Sequence, residues 1–548
     1  MSGNFFTDNA DLQHHFQKME IDDVIWMREH LKEGDYIGDV KKAYLAKLEQ
    51  LGALCAGKIA PRSAKVDAEG AKCENGNVTL SQSIEENLAD LQKLGVNGVV
   101  LPTRYGGLNF PVTVYAMMIE MVSRADASLQ TFFGLQSIAE TVNDFASPDQ
   151  KWTVLPGFSS GELTGAMVLT EPDAGSDLQN VSTTATEQPD GTWRINGIKH
   201  FITNGSADVL LVLARSEEGT RDGRGLSLFL VRKSPEVTII RLEDKLGIHG
   251  SPTCVMRFKD APAELIGKRR FGLIRYVMSL MNNARLSIGA QAVGIMEAIR
   301  KLAWDYCGKR HQFGKPLSEI KPVWEMLSRM DALSCGCRAL LYETCKWIDL
   351  RNAWNQRAQE DTDDKLAPVR AKEFGKFADV LTPILKYIAT EAVNQCAYDG
   401  IQSLGGRGYM REYTMERYYR DARITSIYEG TSQMQVVAAT SGILKGDLAL
   451  VLGVIQTAKF PECAQAQLAE TRAVLAKLEQ AQAAMPQESI ELLSRRLVKG
   501  YGLALVALLL LRQSGDGEEL AEAAKRFCWE FLPQAEAEAD FILKHYNR

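Results

Sequence analysis

Glu429 is the residue with the clearest prospect of chemistry. It lies in Arg417-Tyr-Tyr-Arg-Asp-Ala-Arg-Ile-Thr-Ser-Ile-Tyr-Glu-Gly-Thr-Ser-Gln433, between Tyr428 and Gly430 and behind an apolar Ile-Thr-Ser-Ile run. Burial there could raise its pKa and make it a useful base, although by residue type alone a lone glutamate is usually a solvated charge. Upstream, Gln402-Ser-Leu-Gly-Gly-Arg-Gly-Tyr409 is glycine-rich with a single cation. Met167-Val-Leu-Thr-Glu-Pro-Asp-Ala-Gly-Ser-Asp177 reads as a strand entering a Pro-Asp-Ala-Gly turn, where backbone N–H groups and Ser176 could meet a flat polar ligand or a phosphate. Taken alone it is equally a plain β-turn. His200-Phe-Ile-Thr-Asn-Gly205 is a strand ending at an Asn-Gly turn, by itself a simple hairpin. Arg310-His-Gln-Phe-Gly-Lys315 places a cationic, amide-rich patch suited to a pyrophosphate at a helix end; its plainer reading is helix termination by Gly314 and Pro316.

Two further motifs fail on context. Gly157-Phe-Ser-Ser-Gly161 matches the hydrolase nucleophile pattern, but that chemistry needs a strand before the serine and a helix after it. Here Pro156 precedes and a β-region follows, so a surface loop is expected. Gly308 to Lys315 resembles a phosphate loop, but Pro316 stands where Ser or Thr is required, and the segment follows a helix rather than a strand. No G-x-G-x-x-G follows a strand, which argues against a nicotinamide on a Rossmann unit.

The elements that must position these residues run helix, sheet, helix. From Asp11 to about Phe158 the pattern is mostly helical, with helices expected over Ser83–Leu94, opened by a Ser83/Glu86 capping box and closed by Gly95, then over Val112–Arg124 and Ile138–Phe145. Thr103 to Pro111 reads as a loop. Short apolar or β-branched runs at Trp193, Val209, Leu226 and Val237 predict a compact β-domain from about Gly161 to Gly267. Helical periodicity then resumes. Segments 271–307, 317–355, 366–396 and 416–442 fit an antiparallel bundle, broken at Asp361-Thr-Asp-Asp. A helical extension follows, interrupted at Pro486 and Ser514-Gly-Asp-Gly.

Composition sets the frame. The chain has 548 residues, 45% hydrophobic and 24% charged, which fits a globular protein of several packed units. A formal charge of -6 gives no basic footprint for nucleic acid. The N-terminus lacks the pattern of a secretory signal, and the longest apolar run, Tyr501 to Leu511, is too short to span a bilayer and reads as a buried helix. Ten scattered cysteines form no C-x-x-C pair, and His14-His15 has no neighbouring cysteine or second histidine cluster. Neither a disulfide framework nor a metal site is expected, and a cytoplasmic location fits.

In this order and spacing the four segments resemble the acyl-CoA dehydrogenase family. The likeness runs over roughly residues 45 to 443, including Tyr105-Gly-Gly-Leu, Pro148 to Gly161 and Lys245-Leu-Gly-Ile-His-Gly-Ser-Pro-Thr-Cys254. The resemblance implies an α+β protein: an N-terminal extension (1–45), an N-terminal helical domain (46–160), a central small β-barrel or sandwich (161–270), a four-helix bundle (271–443) and a further helical extension (444–548).

It also implies FAD, bound partly across a subunit interface in a homodimer or dimer of dimers. Met167, Val168, Leu169, Thr170, Gly175 and Ser176, with Phe201, Ile202 and Thr203, would line the isoalloxazine, Thr203 near N5. Arg310 and Phe313 would reach a neighbouring subunit's FAD. Gln402, Gly405 and Gly406 would contact its pyrophosphate and adenosine portion, and Thr431 and Gln433 the remainder. Ser176, Asn282, Arg285, Tyr428, Glu429 and Gly430 would meet acyl-CoA. Asn282 stands where many relatives carry Asp, and Lys321 where a cofactor-contacting Gln is common.

The implied reaction is α,β-dehydrogenation of an acyl-CoA thioester to the trans-2-enoyl-CoA. Glu429 would remove the α-proton while flavin N5 accepts the β-hydride, and electrons would pass to an electron-transfer flavoprotein. The flavin ribityl hydroxyl and the Glu429 N–H would hold the thioester carbonyl. Some family branches place the base just before the bundle-helix Arg; that position here is Ala284, which leaves Glu429. An acyl-CoA oxidase using dioxygen, and a non-catalytic flavoprotein binding module, are the alternatives. From Leu444 onward there are twelve Lys/Arg and fourteen Asp/Glu, so the extension is not basic. Packing on the bundle is expected for it, ahead of a dimer or membrane contact. The acyl group is not legible.

Overall fold

Val209-Leu-Leu-Val-Leu-Ala and Leu226-Ser-Leu-Phe-Leu-Val are apolar at nearly every position because both faces of these strands are buried. In the computed structural model, which describes residues 3–32, 35–134 and 136–545, Leu210, Val212 and Ala214 enter one core with Phe229, Trp193 and Met256. Their neighbours Val209, Leu211 and Leu213 enter a second core with Leu228, Ile138 and Val154. Period-two alternation between two apolar environments leaves no polar face.

The helices before the β-domain are α1 (Ala10–Gln17), α2 (Asp22–Arg28), α3 (Ile37–Leu54), α4 (Ala60–Glu69), α5 (Gln82–Leu94), α6 (Val112–Ala125), α7 (Ala127–Phe133), α8 (Gln136–Phe145) and α9 (Pro148–Ser160), with a hairpin of β1 (Lys72–Glu74) and β2 (Asn77–Thr79) before α5. Ser81, not Ser83, caps α5: its extended backbone lets the hydroxyl accept from Ile84 N–H, while Ser83 is buried inside the first turn. Gly95 ends the helix in the left-handed conformation as expected. Gly157 to Ser160 is the last turn of α9 rather than a loop, with Pro156 tolerated on its exposed side and Gly161 closing it at φ +78°. The nucleophile reading fails on this context too.

The strands β3 (Gly165–Val168), β4 (Thr184–Glu187), β5 (Trp193–Thr203), β6 (Val209–Arg215), β7 (Leu226–Arg232), β8 (Val237–Leu242) and β9 (Thr253–Leu265) form one sheet. Along it β6, β4, β5, β9 and β7 follow in order, and β7 returns to pair with β6, so the sheet closes into a small barrel. Closure pairs β5, β6, β7 and β9 on both sides, while β3 and β8 each keep a single partner. Asn204-Gly205 is a crossover corner and not a hairpin turn, since β5 pairs with β4 and β9 while β6 pairs with β3, β4 and β7. A Cβ on Gly205 would lie 2.7 Å from Cys254 Cβ, so the corner has no room for a side chain.

The remaining elements are α10 (Met278–Lys309), a hairpin of β10 (His311–Gln312) and β11 (Lys315–Pro316), α11 (Lys321–Glu360), α12 (Leu366–Leu404), α13 (Gly406–Tyr409), α14 (Met415–Thr425), α15 (Ser432–Leu444), α16 (Asp447–Thr457), α17 (Gln465–Ala484), α18 (Ile490–Gln513) and α19 (Glu518–His545). Two expectations change here. Helix α10 ends at Lys309, before Gly314 and Pro316, which belong to the hairpin. The expected helix 416–442 is two helices, broken at 426–431 around Glu429.

By contact density the chain forms two units: Met1–Phe5, Ala46–Pro111 and Met121–Ser287 in one, and Phe6–Leu45, Val112–Glu120 and the chain from Ile288 onward in the other. In the second unit the extension packs closely on the bundle. A Cβ on Gly336 of α11 would meet Val506 at 2.6 Å, and one on Gly502 of α18 would meet Ile388 of α12 at 2.7 Å. Tyr501 to Leu511 are all buried. Arg338, 1% exposed, bonds to Glu120, Glu297 and Asp11, so helix α1 is tied to the bundle through a buried ion cluster. Among the described residues no single helix is long and apolar enough to cross a membrane; α15 and α16 pass that test only together, bent by 74°.

Candidate functional site

The candidate residues fall in both units. In the first, strand β3 delivers Met167, half-buried, and Val168. Val168, Leu169 and Ile202 have their side chains in the core, so a ligand would meet only their main chain. The chain then turns tightly, with paired backbone bonds between Glu171 and Ala174. Glu171, 4% exposed, fixes the base of this turn: it accepts from Ser182 N–H and Oγ, from Thr183 N–H, and pairs with Lys199 Nζ at 2.9 Å. Lys199 also donates to the carbonyls of Leu169 and Leu213. Burial raises the Glu171 pKa, but the Lys199 charge and these hydrogen bonds outweigh it and bring it down to about 2. Gly175 and Ser176 project from this pinned turn into solvent.

Strand β5 reaches the same region through the His200 N–H, which donates to Thr170 O at 2.9 Å. A register shift against β9 between Lys199 and Ile202 puts Phe201 at φ +58° and leaves its ring 62% exposed. Thr203 is half-buried and pairs in register with Thr253. Further along this unit, Arg285, 5% exposed, donates to Asn282 Oδ1 at 3.0 Å, and Ala284 is buried beside it.

In the second unit the 426–431 loop is built around Glu429. Glu429 is half-buried rather than sealed from water, and its backbone is left-handed at φ +55°, followed by Gly430 at φ +89°. Three buried side chains hold this conformation. Lys386 Nζ, on α12, donates to Tyr428 O at 2.7 Å and also to Gly430 O. Gln435 Nε2, on α15, donates to Gly430 O at 2.8 Å and to Glu429 O at 3.4 Å. Gln291 on α10 accepts from the Tyr428 hydroxyl. Thr431 caps α15 through Met434 N–H, Ser432 donates to Glu391, and Gln433 is exposed.

The other candidates of this unit lie at surface features. Phe313 and Gly314 are the two-residue turn between β10 and β11, at φ +51° and +79°, and Phe313 is 93% exposed. Arg310 and Gln402 are exposed. Gly405 has φ +61°, and nothing lies within 4 Å of a Cβ placed on Gly405 or Gly406.

Family models match almost the whole of this arrangement. The acyl-CoA dehydrogenase N-terminal domain covers residues 44–162, the middle domain 166–261 and the C-terminal domain 274–443. The chain belongs to the acyl-CoA dehydrogenase family. It is similar to 3-methylmercaptopropionyl-CoA dehydrogenase of Ruegeria pomeroyi, 36% identical over 71% of this chain and 68% of that one. It is also similar to the solved butyryl-CoA dehydrogenase of Megasphaera elsdenii, with 28% identity and TM-score 0.63 over 74% of this chain and 98% of that one. An acyl-CoA dehydrogenase from Bacillus anthracis, solved with FAD, shares the fold across 92% of this chain and 89% of its own at TM-score 0.77 and 21% identity. That last alignment is long enough to reach into the helical extension. Members of the acyl-CoA dehydrogenase family are oxidoreductases acting on CH–CH bonds, and this chain is an enzyme of that class.

Sequence reasoning missed Lys199, Lys386, Gln435 and Gln291. A signal existed for one of them: Lys386 is the single charge in Leu381-Thr-Pro-Ile-Leu-Lys-Tyr-Ile-Ala389, and a lysine so flanked must either snorkel or find buried acceptors.

Proposed function

We propose that this chain is an FAD-dependent acyl-CoA dehydrogenase in which Glu429 removes the α-proton of an acyl-CoA thioester, giving the trans-2-enoyl-CoA. The observation that carries this reading is the backbone of Glu429, a non-glycine residue kept left-handed by donors from two helices. Such strain persists only where the surroundings over-determine it, and it gathers at functional sites.

The residues present fit FAD. Phe201 and Phe313 are exposed aromatic rings on left-handed backbone, which fold stability alone does not favour. Gly405 and Gly406 leave open space where a side chain would otherwise stand, which suits close approach of a pyrophosphate. The turn at Glu171 to Ser176 is pinned from below and presents main-chain groups and Ser176 outward. FAD, when bound, supplies the acceptor for the hydride that leaves Cβ.

The protein's part is positioning and proton removal. A thioester α-proton is weakly acidic, so its loss needs a fixed base and a donor at the thioester oxygen. Glu429 is the base. Its own N–H is the donor this chain contributes to the carbonyl, and Arg285 with Asn282 and Ser176 contact the acyl-CoA. Main-chain atoms of Met167 to Thr170, with Phe201, Ile202 and Thr203, would hold the flavin ring. Arg310 and Phe313, both exposed, would reach the FAD of a second copy in a homodimer. Electrons leave to an electron-transfer flavoprotein.

A panel of butyryl-, octanoyl-, palmitoyl-, isobutyryl- and hydrocinnamoyl-CoA, mixed anaerobically with the yellow enzyme, tests this. At least one thioester should bleach the flavin and yield its enoyl-CoA, and reoxidation should be fast with electron-transfer flavoprotein and slow with dioxygen. A colourless protein, or a flavin that no thioester bleaches, contradicts the reading. Rapid peroxide formation makes it an oxidase.

A further inference from the structure

We infer that Lys386 and Gln435 are positioning residues for the reaction, acting through the three successive carbonyls that surround Glu429. The inference rests on Glu429 being the base and adds how the base is aimed. Tyr428 O, Glu429 O and Gly430 O all accept from these two side chains. Lys386 and Gln435 are both 0% exposed. A lysine placed there is far from the water that would stabilise its charge, and among its partners are two main-chain oxygens of one short segment.

Two consequences follow from elementary geometry. Glu429 and Gly430 sit at positive φ, a conformation that a glutamate does not hold by preference. Donors on α12 and α15 hold the carbonyls on both sides of Glu429, so its Cα–Cβ direction is set by the long helix α12 and the first turn of α15 rather than by the loop alone. Second, no peptide in the described chain is cis. Across a trans peptide the carbonyl and the following N–H point in opposite directions. By holding Tyr428 O, Lys386 therefore aims the Glu429 N–H the other way. One buried cation thus orients the base and the N–H that faces the thioester oxygen together.

The partners of this loop also separate the role from simple anchoring. The Tyr428 hydroxyl is already held by Gln291, and Ser432 is held by Glu391. The loop and the first residue of α15 therefore keep two attachments that do not involve Lys386 or Gln435. Removal of either of the latter should loosen the orientation of Glu429 more than the folding of the segment.

The test compares K386M, K386R, Q435L and E429Q as FAD-loaded full-length proteins, using the thioester that bleaches wild type fastest. Flavin content, saturation by thioester, the limiting rate of anaerobic bleaching, and the isotope effect with α-deuterated thioester are read for each. K386M should keep its flavin and its half-saturation while the limiting rate falls roughly 100-fold and the isotope effect rises. K386R, which can still donate to two carbonyls, should recover a large part of the rate. Q435L should show the same pattern in weaker form, and serves alone if K386M does not fold. A wild-type limiting rate in K386M, or in Q435L if that is the only soluble variant, overturns the inference while an inactive E429Q leaves the base assignment standing. A slowed K386M with unchanged isotope effect and no recovery in K386R also overturns it, because that is plain structural damage. An active E429Q removes the base reading and this inference with it.

Discussion

Lys199 Nζ and Glu171 Oε1 lie 2.9 Å apart, at 0% and 3% side-chain exposure, beneath the turn that carries Gly175 and Ser176. Lys199 ties that turn to the barrel: it pairs with Glu171 and donates to Leu169 O, both in the segment proposed to face the flavin, and to Leu213 O of β6 behind it. Removing one partner of a buried pair leaves the other charged and uncompensated.

K199M should therefore lower unfolding free energy by about 3–5 kcal/mol, read from urea denaturation. Wild type should also show the signature of Glu171. Its folded pKa, about 2, lies below the unfolded carboxylate value, so the stabilisation is complete above the unfolded pKa and is lost as pH falls through about 2. K199M should lack much of that acid-side loss.

Much of the fold was legible because it depends on local pattern. The barrel strands at Trp193, Val209, Leu226 and Val237, the buried run at Tyr501 to Leu511, and the breaks at Asp361, Pro486 and Ser514 all announce themselves in composition. What was illegible depends on contacts between distant residues. Strand β9 closes the barrel by pairing with β5, β7 and β8 at once, and nothing within Thr253–Leu265 states that. The break at Glu429 was hidden because Arg417 to Leu444 contains helix formers on both sides. What halts the helix is a pair of left-handed residues held by Lys386, some forty positions earlier. The capping serine of α5 was misplaced by two residues because Ser81 and Ser83 are chemically equivalent and both buried, and only the extended backbone of Ser81, whose hydroxyl accepts from Ile84 N–H, distinguishes them.

A second pH effect belongs to the N-terminal helix. His15 is 6% exposed beside Asp11, and burial, the largest influence, lowers its pKa to about 3 despite the Asp11 charge. A histidine depressed in the folded state binds its proton only on unfolding, so stability falls as pH drops below 6.5 and continues to fall toward about 3. In thermal unfolding from pH 7 to pH 5, H15Q should flatten this dependence by up to about 1.4 kcal/mol per pH unit. Parallel curves for wild type and H15Q would show that His15 is not the group.

Phe313 occupies a turn position with positive φ where Asn or Gly is preferred. F313N should leave the apo-protein at least as stable as wild type, by up to about 1 kcal/mol, and yet lose FAD faster on dilution. Unchanged cofactor retention would remove Phe313 from the flavin site.

Gly406 offers a cleaner separation of folding from binding, since no atom beyond its own chain neighbours and helix backbone lies within 4 Å of a Cβ placed there. G406V should unfold at nearly the wild-type temperature and bind FAD at least about tenfold more weakly, a loss of about 1.4 kcal/mol. Apo-protein titration with FAD, followed by flavin fluorescence, measures it.

The most direct test of the central claim is a rapid-mixing measurement on E429Q. The variant is isosteric and keeps the main-chain carbonyls that Lys386 and Gln435 hold, so it should remain yellow and still bind thioester. The expected result is a flavin absorbance that stays constant when acyl-CoA is added without oxygen, while wild type bleaches within the mixing experiment. Bleaching of E429Q at the wild-type rate would contradict the assignment of Glu429 as the base.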